Sequence, residues 1–162
     1  MSHRKTALEK FIREHNLLRG AEIGVWQGET SEHLLRNTDC FLYLVDLWSA
    51  SPKYETWDHD ANKRRATDRI KDLQNYKILQ GVSWQVAEQI QDSELDFVFI
   101  DGDHSTEGVV SDIQAYTPKV KTGGYIMGHD WDWTTVQTAV RQFCEPQTLT
   151  NGIWYYKKEK TI

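Results

Sequence analysis

The chain has 162 residues, of which 39% are hydrophobic and 27% are charged, and its formal net charge is −5. This length and composition suit one globular domain, spanning residues 1–162. The acidic balance argues against a nucleic-acid partner held by electrostatics, because phosphate contacts need a basic face. No apolar run is long enough to cross a bilayer or to resemble a secretory leader, and the two cysteines lack metal-ligand spacing. We therefore expect a cytoplasmic domain without a membrane or nucleic-acid partner.

The chain is predicted to begin with a helix inside residues 1–19. Leu8 and Ile12 follow helical spacing after a capping-box sequence at residues 6–9. Gly20 is then expected to end this helix.

A strand, a glycine turn and a second strand come next. The first strand is predicted over residues 21–25, and Gly24 and Gly28 form the turn that leads into a helix. The second strand, residues 41–46, ends in Asp46.

Residues 49–73 are the least regular part of the sequence and are expected to form a lid. Tyr54 and Trp57 either close over a substrate or form the apolar underside of this segment. Residues 58–60, Asp-His-Asp, are interpreted as the start of a solvated helix rather than as a ligand cluster.

The second half of the chain alternates strands and helices. The strand at residues 95–100 is nearly all apolar, which is typical of a central parallel strand that is buried on both faces. The other predicted elements are strand 77–80, a helix after Ser83, helix 107–116, a turn at Gly123 and Gly124, strand 125–128, helix 135–144 and a closing hairpin around Asn151 and Gly152.

This order predicts an α/β fold: a Rossmann-like, doubly wound, mainly parallel sheet with a C-terminal antiparallel hairpin. In such sheets the ligand crevice lies outside the carboxyl ends of the strands. Five residues are predicted to lie at those ends: Gly24, Asp46, Gly81, Asp101 and Asp130.

The spacing of Gly24 and Asp46 indicates what the crevice binds. They are 22 positions apart, which is enough for one βαβ unit. Nucleotide-binding folds use this spacing to bring an acidic side chain to the hydroxyls of a ribose, which indicates a cofactor that contains adenosine.

Four motifs in order resemble those of the class I S-adenosylmethionine-dependent methyltransferases, in particular a small branch related to macrocin O-methyltransferase. The motifs are EIGVWQG at 22–28, VDLW at 45–48, FIDGDH at 99–104 and GGYIMGHD at 123–130. The resemblance covers nearly the whole chain, from about residue 20 to residue 156.

The resemblance implies a set of cofactor contacts. Glu22 would lie near the methionyl amino group, Gly24 and Gly28 would let the backbone approach, and Asp46 would bind the ribose. Thr30 and the helix that follows it would hold the methionyl carboxylate, because a helix N-terminus favours an anion. The remaining expected contacts are those framing the adenine, Leu47, Trp48, Val82 and Ser83, and a contact from Asp101.

Proton removal from an acceptor hydroxyl needs further groups. Asp101 and Asp130 end adjacent predicted strands, and with His129 they would form an oxygen and nitrogen site suited to Mg²⁺ or Mn²⁺. The alternative is that these carboxylates only cap loops and helices. His104 is the expected general base, and Asp101 and His129 belong to the same catalytic group. The alternative role of His104 is a hydrogen bond that shapes the loop.

The expected activity is O-methylation of a small hydroxylated acceptor, such as a sugar or a natural product. Trp131 and Trp133 either line the acceptor pocket or pack in the core. Two other functions stay open: a nicotinamide-dependent oxidoreductase, and a non-catalytic cofactor-binding subunit of a larger enzyme. A homodimer that completes the pocket is a further expectation.

Overall fold

The computed structural model describes residues 3–49 and 55–160. The helices are α1 His3–Glu14, α2 Glu29–Asn37, α3 His59–Ile70, α4 Ser83–Val86, α5 Thr106–Tyr116 and α6 Thr134–Val140. Short 3₁₀ turns follow α4 at Ala87–Gln89 and α5 at Thr117–Lys119. The strands are β1 Arg19–Ile23, β2 Phe41–Asp46, β3 Tyr76–Gln80, β4 Leu95–Ile100, β5 Val120–Gly128, β6 Gln147–Thr148 and β7 Trp154–Lys157.

The strands form one sheet in the order β3-β2-β1-β4-β5-β7-β6. The first five pair in parallel, β7 pairs antiparallel with β5, and β6 pairs antiparallel with β7. The predicted doubly wound sheet with a C-terminal hairpin is confirmed. Strand order reverses between β1 and β4, so the ligand crevice of such a fold is expected beyond Ile23 and Ile100.

Both faces of the sheet are covered. One apolar cluster packs α4, α5 and α6 against the sheet, and the other packs α1, α2 and α3 against the opposite face. Leu8 and Ile12 of α1 are buried in the second cluster. The apolar β4 run is buried on both faces, as its composition predicts.

Several predicted boundaries differ from the structure. The helix of residues 1–19 ends at Glu14, and Gly20 lies in β1 rather than at a helix end. Gly20 lacks a side chain because a Cβ there would lie 2.3 Å from Cζ of Phe97. The turn expected at Gly123 and Gly124 is a register shift inside β5, where a Cβ on Gly124 would meet the carbonyl oxygen of Asp96 at 2.5 Å.

The segment expected to form a lid is partly helical. Asp58 caps α3 by accepting a hydrogen bond from the amide of Ala61, which confirms the predicted helix start. Of the two aromatic residues assigned to the lid, Tyr54 and Trp57, Tyr54 lies outside the described residues. The lid therefore stays a prediction. None of the described helices is both long and apolar enough to cross a membrane.

Candidate functional site

A cavity of about 670 Å³ opens at the carboxyl edge of the parallel strands, where strand order reverses. This volume is within the usual range for small-molecule sites. The predicted contacts that line it are Glu22, Gly24, Thr30, Asp46, Leu47, Trp48, Val82, Ser83, Asp101, His104, His129 and Asp130.

Gly24 brings β1 and β4 together at the floor of the cavity. Its φ of +92° is in the left-handed region, and a Cβ there would lie 2.2 Å from the carbonyl oxygen of Asp101. Only glycine meets both conditions without strain.

Gly28 is not among the residues that line the cavity, and its predicted role in cofactor approach stays a prediction. It precedes α2 with a φ of +76°, and a Cβ there would lie 2.9 Å from Cα of Ala66. Its small size therefore allows α2 and α3 to pack closely.

Asp46 holds two loops beside the cavity. Its carboxylate accepts hydrogen bonds from the backbone amides of Trp26 at 2.7 Å and Trp48 at 2.8 Å. Burial raises the pKa of Asp46, and these hydrogen bonds oppose that rise. A carboxylate has about four acceptor sites, so acceptors remain for ribose hydroxyls.

Glu22 is a buried acid on β1. Its side chain is 2% exposed and accepts a hydrogen bond from the hydroxyl of Ser31. Burial raises the pKa of Glu22 to about 8, and nearby Asp101 adds to the rise, whereas Ser31 and Arg4 oppose it. Burial therefore favours the protonated form of this carboxyl group near neutral pH.

Two imidazoles and two carboxylates gather at the ends of β4 and β5. Nε2 of His104 lies 2.5 Å from Oδ2 of Asp130 and 3.7 Å from Oδ1 of Asp101. The contact with Asp130 is a close charge contact, and Nε2 of His104 meets no partner in hydrogen-bond geometry among the described residues. Asp101 first and Asp130 second raise the pKa of His104 to about 9.

His129 faces the same carboxylates. Its Nε2 lies 2.9 Å from the carbonyl oxygen of Asn151, so Nδ1 is directed at Oδ1 of Asp130, 2.9 Å away. Burial lowers the pKa of His129, but attraction to Asp101 and Asp130 outweighs burial and raises it to about 9. The two imidazoles in turn hold the pKa of Asp101 below its usual value, although burial acts in the opposite direction.

These side chains offer ligands for a divalent cation. Among the described residues, Asp101, His104 and Asp130 have ligand atoms that all lie within 4.8 Å of one another. The predicted trio instead contained His129, but Nη1 of Arg4 lies 3.3 Å from its Nδ1 and competes for that position. Two carboxylates and an imidazole suit Mg²⁺, Mn²⁺ or a related ion, so the residues fit such a metal.

Several aromatic and polar side chains that follow β4 and β5 have defined contacts in the structure. Trp133 is half exposed with its ring 5.1 Å from that of His104, whereas Trp131 packs against the core. Asp103 accepts hydrogen bonds from the amide and the hydroxyl of Ser105, and Ser105 caps α5.

Arg4 and Asp112 are among the residues of the cavity wall that the sequence did not assign to the site. Arg4 reaches the cavity from α1, and Asp112 reaches it from α5, where it is 2% exposed and accepts a hydrogen bond from Ser83. Burial raises the pKa of Asp112 to about 7. The sequence contains a signal for both residues, because each is a charged residue at a position that helical spacing places on the buried apolar face of its helix. Arg4 lies one turn before Leu8, and Asp112 lies one turn after Val109.

The sheet order and the cavity define the class of protein. A 3-2-1-4-5 sheet with a glycine turn after β1 and an acid after β2 is the arrangement of nucleotide-binding doubly wound folds. The four motifs meet at its ligand edge, which is the architecture of a class I methyltransferase.

Comparison with known proteins agrees with this class of protein. Residues 21–131, more than half of the chain, match the family described as "Methyltransferase domain", so the chain belongs to this family. No curated protein matches the chain.

Solved structures share the fold at low sequence identity. Cofactor-bound Rv0187 from MTB superposes with a TM-score of 0.75 at 16% identity, over 99% of this chain and 82% of that one. TomG from Streptomyces achromogenes, an O-methyltransferase of tomaymycin synthesis crystallised with SAM, gives a TM-score of 0.74 at 13% identity, over 99% and 81%.

Proposed function

We propose that this protein transfers a methyl group from S-adenosylmethionine to a hydroxyl of a small acceptor, such as a sugar or a natural product. The observation that carries the proposal is a single cavity that joins the glycine turn, Asp46, Asp101 and Asp130. The likeness to macrocin O-methyltransferase remains a prediction within this proposal.

The cavity wall fits this cofactor group by group. Glu22 and Thr30 stand where the methionyl end would lie, Asp46 keeps free acceptors for the ribose, and Val82 and Ser83 offer a surface and an edge for the adenine. A buried acid such as Glu22 is unfavourable as an anion, and a cofactor ammonium would compensate its charge. This placement would direct the sulfonium toward the cluster of Asp101, His104 and Asp130.

Methyl transfer is an in-line displacement, so orientation of the two reactants supplies much of the rate. Here the acceptor hydroxyl would lie near His104, whose imidazole must first lose its proton because its pKa is about 9. A cationic cofactor beside it would lower that pKa. In a metal-assisted reaction Asp101, His104 and Asp130 would instead hold a divalent metal, with His104 as a ligand rather than as the base, and the metal would supply the charge that makes a hydroxyl more acidic.

The proposal is tested by binding and turnover together. We expect S-adenosylmethionine to bind in calorimetry and its methyl group to appear on hydroxylated acceptors in a mass-spectrometric screen. Preferential binding of NAD would favour the oxidoreductase alternative. Binding of S-adenosylmethionine with no transfer to any acceptor would favour the non-catalytic subunit.

The raised pKa of Glu22 predicts a pH-dependent affinity. Because its carboxyl is protonated below about pH 8 and must ionise to pair with an ammonium, binding releases a proton. We expect the affinity for S-adenosylhomocysteine to rise between about pH 6 and pH 7.5, by at most about tenfold per pH unit. Calorimetry at each pH measures this rise.

Glu22→Gln is the matched control, since glutamine keeps the shape but cannot ionise. This variant should bind more weakly at about pH 7.5, with an affinity that no longer changes with pH. An equal pH dependence in both proteins would refute the role of Glu22.

The metal site makes a separate prediction. We expect Mg²⁺ or Mn²⁺ to stimulate chelator-treated protein, and Asp130→Asn to remove that stimulation. Asparagine suits this position because Asp130 has a φ of +56°, a conformation that asparagine tolerates. Calorimetric titration with Mn²⁺ gives a readout independent of activity. Full activity after chelation would eliminate the metal from the proposal.

A further inference from the structure

We propose that Arg4 binds the carboxylate of the cofactor's methionyl group, so that α1 completes the cofactor site. This inference rests on the proposed use of S-adenosylmethionine. It assigns a binding role to a helix that lies outside the matched residues 21–131.

The guanidinium of Arg4 lies beside Thr30, at the end of the cavity proposed above for the methionyl group. Nη1 donates to Oδ2 of Asp101 at 2.8 Å, and Nη2 donates to Oγ1 of Thr30 at 3.2 Å. Nε is buried and makes no hydrogen bond in the part of the chain that the structure describes. A guanidinium has five N–H donors in a planar fork that matches a carboxylate, so this group has donors to spare.

The charges of the residues that line the cavity indicate which group of the cofactor Arg4 would bind. Among the described residues that line the cavity, Arg4 is the only arginine or lysine, whereas the acids include Glu22, Asp46 and Asp101. The methionyl end of the cofactor carries one ammonium and one carboxylate. The acids repel the carboxylate, so its favourable position is beside Arg4 and the first turn of α2, where Thr30 lies.

The packing of α1 keeps Arg4 in this position. Leu8, one turn after Arg4, is buried in the core. His33 of α2 lies 2.8 Å from Glu9 of α1, which ties the two helices together. Arg4 is therefore held by a packed helix, so less side-chain freedom is lost when it binds an anion.

The test uses two ligands that differ at the methionyl end. S-adenosylhomocysteine carries the carboxylate and the ammonium, whereas 5′-methylthioadenosine lacks both. We expect Arg4→Gln to weaken the binding of S-adenosylhomocysteine by about 10- to 100-fold, the usual effect of a lost hydrogen bond between charged groups. Binding of 5′-methylthioadenosine should change by less than about twofold, and Arg4→Lys should restore part of the loss.

Lys5→Gln is the matched control, because it removes the same charge from the same turn of α1, where Lys5 pairs with Glu29 at 3.3 Å. It should leave the affinity for both ligands within about twofold. Thermal unfolding of every variant separates lost binding from lost folding.

Two results would overturn the inference alone: equal losses for both ligands in Arg4→Gln, which would mean that Arg4 only positions Asp101, or undiminished binding of S-adenosylhomocysteine. A wild-type protein that binds neither ligand would overturn the proposed function as well.

Discussion

Asp101→Asn is expected to lower the rate of methyl transfer by about 10²- to 10³-fold while the protein stays folded. Asp101 is the anion that three cationic groups share, with Nη1 of Arg4 at 2.8 Å, Nδ1 of His129 at 3.6 Å and Nε2 of His104 at 3.7 Å. Asparagine keeps the shape but leaves these groups to repel one another and the incoming sulfonium. Steady-state kinetics with any acceptor found in the screen measures the effect.

The same variant has a spectroscopic consequence. Asp101 and Asp130 together raise the pKa of His104, so Asp101→Asn should lower that pKa from about 9 toward 6.5, with Asp130 keeping part of the rise. NMR titration of the imidazole C–H signals follows this shift. Asp132→Asn, an exposed carboxylate nearby, is the control and should alter neither the rate nor the titration. A loss of rate below about threefold in Asp101→Asn would refute a central role for this carboxylate.

Gly24→Ala is expected to destabilise the fold by about 2–4 kcal/mol. The new Cβ would lie 2.2 Å from the carbonyl oxygen of Asp101 and would force a side chain onto a φ of +92°. The clash and the positive φ both involve backbone at the ends of the central strands β1 and β4, where the amide of Gly24 donates to the carbonyl oxygen of Val45 and that of Asp101 donates to the carbonyl oxygen of Ile23, so this backbone has little freedom to move. Urea denaturation should show the loss, and thermal unfolding should show a decrease in Tm of about 5–15 °C.

A second glycine provides the control for this prediction. In Gly102→Ala the nearest atom to the new Cβ would be Cγ2 of Ile23, at the ordinary contact distance of 3.6 Å, and no positive φ is involved. Its stability should stay within about 0.5 kcal/mol of the wild type. A similar loss in the two variants would mean that the close approach at Gly24 is not the cause.

The position of the site could be predicted because it follows from connectivity. Asp46 ends β2, Asp101 directly follows β4 and Asp130 lies two residues after β5, and the carboxyl ends of parallel strands share one edge of a sheet. A glycine at position 24, between strand and helix, marked the turn in the same way. These signals are local, so a single sequence contains them.

Glycines with a purely tertiary reason were interpreted wrongly. Gly20 and Gly124 carry the local signal of a turn, yet both lie within strands. These positions are glycine because a phenyl ring at Gly20 and a carbonyl oxygen at Gly124, each from another strand, occupy the space that a side chain would need. Gly28 also has a tertiary contact that the sequence did not predict, since it lies against α3. Nothing within a few residues of these positions specifies such neighbours.

The sequence by itself determined the order of helices and strands and the edge at which the acids gather, because periodicity and chain direction are local properties. Only the tertiary structure decided that Arg4 and Asp112 belong to the cavity wall and that His104 joins Asp101 and Asp130. Those assignments depend on how α1, α5 and the ends of β4 and β5 dock, and docking is set by the packing of residues far apart in the chain.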